Sequence, residues 1–203
     1  MKKLLTTTLF SLFLAPAGAY AAEDTAILAG GCFWCIESDF EKLAGVKEVV
    51  SGYSGGQSAD PTYENHTAGG HREVVRITFD PEVISYPRLL ETFWRTVDPI
   101  DAGGQFCDRG LSYSTAIYAT SLEQLQQAQV SRADIDAAGL LPEKIVTPIA
   151  PAQTFYPAEE YHQDYHAKNP IRYKYYRYSC GRNQRVEELW GDQAYRGVKD
   201  TGS

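Results

Sequence analysis

The sequence predicts a single α+β domain, on three observations. Strand-like and helix-like segments follow one another without the strict alternation of a doubly wound parallel sheet. No internal repeat, low-complexity tract or linker divides the chain. With 203 residues, 43% hydrophobic and 22% charged, the composition is that of a globular chain large enough to bury its own core, at a length that suits one domain.

The elements follow in order. Asp24 to Ala29 reads as a short buried strand ending at Gly30-Gly31. Cys32 opens a helix in which Ile36, Phe40 and Leu43 recur at i, i+4 and i+7 between charged residues, with Gly45 as its stop. Val46 to Tyr53 is a strand, followed by a polar, Gly-rich loop over 54–71. In 72–79, Val75, Ile77 and Phe79 alternate against Arg76 and Thr78, the period of a strand. Tyr86 to Val97 carries an amphipathic helical pattern, and 98–110 is a second Gly-rich loop. A strand is expected over 114–119, and Ser121 with Gln124 forms a capping box for a helix through Ala138. A strand over 144–149 and a short helix over 157–167 follow, and the basic, Tyr-rich tail from Lys168 reads as irregular. Loops as long as 54–71 and 98–110 tend to be functional in a compact domain.

Residues 1–21 are expected to stand apart as a secretory signal peptide, leaving 22–203 as the mature domain. Lys2 and Lys3 precede an apolar run from Leu4 to Ala15, and Ala19-Tyr20-Ala21 is a small-residue cleavage site. The apolar run is shorter than the roughly 20 residues that span a bilayer. The reading is therefore a monomeric protein exported to a bacterial periplasm or secreted, with no membrane attachment after cleavage. Lys and Arg number 19 against 26 Asp and Glu, a net charge of −7, which argues against nucleic acid as a partner. The one methionine, Met1, leaves with the leader, whereas Cys32, Cys35, Cys107 and Cys180 all enter an oxidising compartment where disulfides persist.

The chemistry centres on Gly31-Cys32-Phe33-Trp34-Cys35, between a strand and a helix. A thiol at a helix N-terminus faces free N–H groups and the positive end of the dipole, which favour the thiolate. The competing reading is a structural disulfide among the four cysteines. A Cys-x-x-Cys pair at this junction also fits a thioredoxin-like thiol–disulfide oxidoreductase using Cys32 and Cys35. Against that, two bulky aromatics beside the nucleophile suit a small apolar pocket better than the flat approach a protein disulfide needs.

Gly-Cys-Phe-Trp at this position resembles the peptide methionine sulfoxide reductases of the A type. The similarity continues through Gly52-Tyr53-Ser54-Gly55-Gly56, Pro61-Thr62-Tyr63, Gly70-His71-Arg72-Glu73, Asp108-Arg109-Gly110, Tyr113-Ser114-Thr115-Ala116-Ile117-Tyr118, Phe155-Tyr156-Pro157-Ala158-Glu159 and Tyr161-His162-Gln163. It covers about residues 26–180, with the blocks in order.

The resemblance implies a ferredoxin-like two-layer αβ sandwich that reduces the S epimer of methionine sulfoxide, free or in oxidised proteins and peptides. It implies that Cys32 attacks the sulfoxide sulfur, that Phe33 and Trp34 grip the S-methyl group, and that Glu73 delivers a proton to the oxygen from a buried carboxyl. Tyr63 and Tyr113 would donate hydrogen bonds to that oxygen, and Asp108 would orient the site. A second cysteine would condense with the Cys32 sulfenic acid, and a thioredoxin-like protein would reduce the disulfide, with no cofactor. The resolving step is where the chain departs from relatives that carry Gly after Phe-Trp or two tail cysteines. Cys180, on a tail free to move, is the first choice; Cys35, one helical turn from Cys32, and Cys107, beside Asp108, are the alternatives.

Other constellations carry less. His162 and His166 have the spacing of zinc ligands, but Gln163 stands where the metalloprotease motif needs Glu, so no metal is expected. A Cys–His hydrolase pairing Cys32 with His66 or His71 has only composition behind it. Arg172, Lys174, Arg177, Arg182 and Arg185 are either a solvated face or a docking surface for the electron donor.

Overall fold

A computed structural model describes residues 23–198; the proposed leader, 1–21, lies outside the described residues. The chain runs β1 (Asp24–Ala29), α1 (Phe33–Phe40), β2 (Val46–Ser54), β3 (Arg72–Phe79), α2 (Tyr86–Trp94), the small hairpin β4 (Gly104–Gln105) and β5 (Asp108–Arg109), β6 (Ala116–Ala119), α3 (Leu122–Ala138), β7 (Ile149–Pro151), β8 (Tyr156–Pro157), α4 (Tyr165–Lys168), α5 (Pro170–Ser179) and α6 (Arg182–Trp190). The main sheet has the order β7-β6-β1-β3-β2-β8, antiparallel except for the parallel β6–β7 pair.

Strand periodicity assigns the two faces. Ala26 and Leu28 of β1, Val49 and Tyr53 of β2, Val75, Ile77 and Phe79 of β3 and Ile117 of β6 share one core with Phe33, Ile36 and Phe40 of α1, Leu89, Leu90, Phe93 and Trp94 of α2 and Ala128 of α3. Their alternates Ile27, Ala29, Val74, Ala116 and Tyr118 form a smaller cluster on the opposite face, against Ala150, Ala152 and Phe155. This is a two-layer α+β domain, helices over one face of the sheet.

Several local expectations hold with their mechanism. Ser121 Oγ accepts from Gln124 N at the start of α3 (3.1 Å), and Gly139 ends that helix in the left-handed conformation. Gly31 takes φ +84° between β1 and α1, and a Cβ on Gly30 would lie 2.5 Å from Ile36 Cδ1, so the turn into Cys32 needs both glycines.

Four expectations are corrected. The strand placed at 144–149 is confined to Ile149–Pro151. Upstream, Ile145 N donates to Asp136 and Val146 N to Pro99 O, and Pro148 has no N–H to donate, so it joins β6 only through its carbonyl, which accepts from Ile117 N. The helix placed at 157–167 divides into β8, a 3₁₀ turn at Glu160–His162 and the short α4. The helix expected to reach Val97 ends at Trp94.

The irregular tail is the largest correction, since it forms α5 and α6. Pro170 starts α5, and Gly181, at φ +73°, breaks it from α6. What holds them is polar. Arg177 reaches Asp39 at 3.0 Å, and Arg182, 2% exposed, donates to the carbonyls of Gly30 and Thr96 at 3.0 Å each. Arg182 therefore pins the C-terminal helices to the turn that delivers Cys32. Arg182→Ala is expected to lower the urea-unfolding free energy by roughly 3 kcal/mol, two bonds from a charged donor at about 1.5 kcal/mol each; a loss below about 0.5 kcal/mol would show the tie to be dispensable.

Candidate active site

Cys32 sits at the N-cap of α1, followed by a turn closed by Cys35 N donating to Cys32 O at 3.1 Å. Both thiols are free and buried, 6% and 1% exposed. Cys32 touches two groups through its thiol, that of Cys35 and the Tyr176 hydroxyl. Burial pushes the Cys32 thiol well above the ordinary range, and the neighbouring Cys35 and Glu73 add to this. The hydrogen bond from Cys32, with the guanidiniums of Arg182 and Arg177, holds Cys35 below that range. Burial thus opposes the helix N-terminus at Cys32, and the two guanidiniums favour a negative charge on Cys35.

Glu73 ends up beside Cys32 by strand register. It lies two residues before Val75 on β3, on the face that packs against α1, and its Oε2 accepts the Phe33 N–H at 3.0 Å. The side chain is 2% exposed. Burial raises its pKa to about 8; the Phe33 N–H opposes that shift, and the charges of Asp108 and Cys35 reinforce it.

The loop 54–71 and the 3₁₀ turn Leu111–Tyr113 after the second loop bring up further side chains. Tyr63 and Tyr113 lie beside each other, and the pKa of each is raised by burial first and then by Glu73 among nearby charges. Asp108 accepts a short hydrogen bond from the Tyr176 hydroxyl, and burial raises its pKa. Thus Cys32, Glu73, Tyr63, Tyr113 and Asp108 converge, with Phe33 in the core and Trp34 half-buried at the edge.

Cys180 does not stand free on a moving tail. It caps α5 and is disulfide-bonded to Cys107, with Cα atoms 4.9 Å apart. The bond borders the site through Asp108, whose carboxylate lies 3.8 Å from each sulfur. Because the two sulfurs are joined, the Cys107, Asp108 and Cys180 grouping offers no thiolate to a metal.

The histidines are otherwise engaged. His66 Nδ1 lies 2.9 Å from Tyr63 O, and His71 bridges Gly56 N and the Ser58 carbonyl. His162 Nδ1 accepts from Trp34 Nε1, whereas His166 Nε2 faces Glu41 at 3.2 Å, so the two share no ligand position. Among the basic residues, Arg182 is a buried and Arg177 a part-buried structural tie and Arg185 pairs with Asp98 at 2.7 Å, which leaves Arg172 and Lys174 on the exposed side of α5.

Residues missed from sequence are Tyr176, which links Asp108 to Cys32, and Glu159, which accepts from the Tyr53 hydroxyl and Tyr63 N, both at 2.9 Å. The concentration of seven tyrosines in 156–178 was the available signal. Tyr165 stacks on Trp34 at 3.7 Å and Tyr176 meets it edge-on, while Tyr175 and Tyr178 are exposed.

Comparison with known proteins follows this geometry. The family described as peptide methionine sulfoxide reductase matches residues 24–194. Peptide methionine sulfoxide reductase MsrA 2 of Rhizobium meliloti is 53% identical over 198 residues, covering 98% of this chain and 99% of that protein. Methionine sulfoxide reductase A of Corynebacterium diphtheriae superposes with a TM-score of 0.68 at 30% identity, over 75% of this chain and 78% of that one. Mxr1 of Saccharomyces cerevisiae in reduced form gives 0.68 at 30% identity, over 73% and 86%; the same yeast protein in complex with Trx2 gives 0.51 at 24% identity, over 76% and 89%.

The carboxyl's burial has a stability consequence. A Glu73 pKa of about 8 in the fold, against about 4.3 unfolded, means the folded state holds a proton the unfolded state loses. Stability from this group is complete below about pH 4 and is lost as pH rises towards 8. Glu73→Gln is expected to gain stability over the wild type across that window, reaching on the order of 4 kcal/mol near pH 8, measured by urea unfolding at several pH values; parallel curves would refute the raised pKa.

Proposed function

The chain belongs to the peptide methionine sulfoxide reductase family, and from that membership we propose how its own residues carry the reaction. The protein is an oxidoreductase that reduces methionine sulfoxide to methionine. Its substrates are the S epimer, free or in oxidised peptides and proteins. The observation that carries this assignment of roles is the buried Glu73 carboxyl held on the Phe33 N–H beside the Cys32 thiol.

The sulfoxide's S-methyl group packs on Phe33 and Trp34, and its oxygen points to Glu73, Tyr63 and Tyr113. Cys32 Sγ attacks the sulfoxide sulfur and passes its proton to the Cys35 thiolate. Glu73, protonated at neutral pH by its burial, gives its proton to the oxygen. The net change converts the sulfoxide to the thioether and the Cys32 thiol to a sulfenic acid, the oxygen moving to sulfur. Asp108 orients Tyr176 against Cys32. Cys35 then attacks the sulfenic sulfur, forming the Cys32–Cys35 disulfide and releasing water. Cys35 takes this role ahead of Cys180 because its thiol already contacts Cys32, while Cys180 is committed to Cys107.

A thioredoxin-like protein restores the dithiol; the yeast relative's complex with Trx2 supports this class of donor. The protein works after export, in the periplasm or outside the cell, which the leader pattern of residues 1–21 supports. The thioredoxin-like exchanger is not favoured, since Phe33 and Trp34 beside Cys32 suit a small apolar group better than the flat approach of a protein disulfide.

The test supplies S- and R-sulfoxide peptides with dithiothreitol. Methionine is expected from the S epimer only, lost in Cys32→Ser, and released about 10²–10³-fold more slowly by Glu73→Gln. Turnover by Cys32→Ser would end the assignment. Peptide mapping after one turnover is expected to find a Cys32–Cys35 bond; a Cys32–Cys180 bond would return the resolving role to the tail.

A further inference from the structure

Trp34 differs from Phe33 in how it is held. Phe33 is 1% exposed and fixed by the core, whereas Trp34 is half-buried. Its indole stacks on Tyr165, with centroids 3.7 Å apart and planes 8° from parallel. A stack of this kind resists separation, and Tyr176 meets the indole edge-on, but neither ring contact sets the direction of the indole N–H. The directional contact is the hydrogen bond Trp34 Nε1–H donates to His162 Nδ1 at 3.2 Å.

His162 is built to accept that bond. It is 1% exposed, with its ring against Phe33 at 5.0 Å, Tyr63 at 4.6 Å and Tyr161 at 4.2 Å. Burial lowers its pKa, which keeps the ring neutral. A neutral ring that accepts at Nδ1 carries its proton on Nε2, and Nε2 has no hydrogen-bond partner. The ring is therefore committed to Trp34 and to no other polar group.

The segment carrying His162 is itself fixed. Gln163 Nε2 donates to the carbonyls of Ser51 and Ala158 and its Oε1 accepts from Ser51 N, which clamps the segment to β2. Glu159 bonds Tyr53 and Tyr63. A directional bond from a clamped support is the arrangement that holds a binding side chain in one geometry.

We propose that His162 is a positioning residue for the substrate pocket: its Nδ1 fixes the rotation of the Trp34 indole and so sets the shape of the wall against which the substrate's S-methyl group packs. This rests on the methionine sulfoxide reading of the site.

Three forms decide it. His162→Phe keeps an aromatic ring but removes the acceptor, and His162→Asn offers an oxygen close to where Nδ1 stands. In the Phe form, KM for an S-sulfoxide peptide is expected to rise about fivefold, the worth of one hydrogen bond, with kcat within twofold; the Asn form should recover most of it. The indole N–H signal of Trp34 in the wild type should exchange slowly with solvent and shift in the Phe form. An unchanged KM in the Phe form, or an Asn form as impaired as the Phe form, would overturn the proposal in favour of packing alone. If the Phe form does not fold, fast exchange of the wild-type indole proton overturns it and slow exchange with rescue by Asn supports it. Loss of all turnover in the wild type would count against the methionine sulfoxide reading instead, and the indole measurement would still decide the role of His162.

Discussion

The hydrogen bond from Phe33 N–H to Glu73 Oε2 joins the start of α1 to the start of β3. It satisfies one of the free N–H groups of a helix terminus whose N-cap, Cys32, makes no side-chain cap of its own. It also brings a carboxyl into a dry corner of the molecule, where a charged form is costly. The scaffold therefore meets a local need of α1 by burying a group that then stays protonated at neutral pH. Phe33 must enter the core for the bond to form, Gly30 and Gly31 must turn tightly for Phe33 to enter, and Arg182 must hold the Gly30 carbonyl. A defect in any of these would be felt at the carboxyl.

The C-terminal helices extend this dependence. Their apolar contribution is small, with Tyr173, Val186 and Trp190 turned inward. Their placement comes from guanidiniums reaching across the fold: Arg177 to Asp39 on α1, Arg182 to the turn before Cys32, and Arg185 to Asp98. Burial of Arg177 and Arg182 is tolerable because carboxylates or carbonyls face them. Both lie close enough to lower the Cys35 pKa. Structural cations and reactive sulfur thus belong to one electrostatic unit, and the bond between Cys107 and Cys180 closes that unit covalently.

This explains what the sequence could and could not convey. A short apolar run ended by Gly30-Gly31 marked β1, and apolar alternation marked β3, both at their observed boundaries, because each signal lies within eight residues. The same alternation puts Glu73 on the face of Val75, Ile77 and Phe79, but a carboxyl at a strand's start reads as solvated, and its buried role came only from the motif resemblance. Helix α5 was not legible, since no continuous apolar stripe marks it and its ties run to residues such as Asp39, 138 positions away; α6 shows only the short stripe Val186, Leu189 and Trp190 among charged residues. The bond from Trp34 to His162 spans 128 positions and leaves no local pattern. Cysteine pairing was undecidable for the same reason: four cysteines allow three complete pairings, and only the packing of α5 against the 98–110 loop selects Cys107 with Cys180. The convergence of Tyr63, Tyr113 and Asp108 came from motif resemblance, because loops 54–71 and 98–110 and the short turn Leu111–Tyr113 have no periodicity from which to derive it.

The arrangement of protons follows from the same burial. A methionine sulfoxide is neutral, and its reduction needs a proton at the oxygen and an electron pair at the sulfur. A site that stored a thiolate on Cys32 next to an ionised Glu73 would hold two like charges in low dielectric, an expensive resting state. Burial raises the pKa of both Cys32 and Glu73, whereas the hydrogen bond from Cys32 and the charges of Arg182 and Arg177 lower that of Cys35. In the proposed reaction Cys35 takes the proton of Cys32 as the sulfoxide accepts the electron pair, and it then stands as a thiol beside the oxidised Cys32 sulfur, the position from which the proposed disulfide closes. On that proposal one pair of buried thiols serves first as nucleophile with its base and then as the two halves of a bond, and the arginines that order the tail favour both uses.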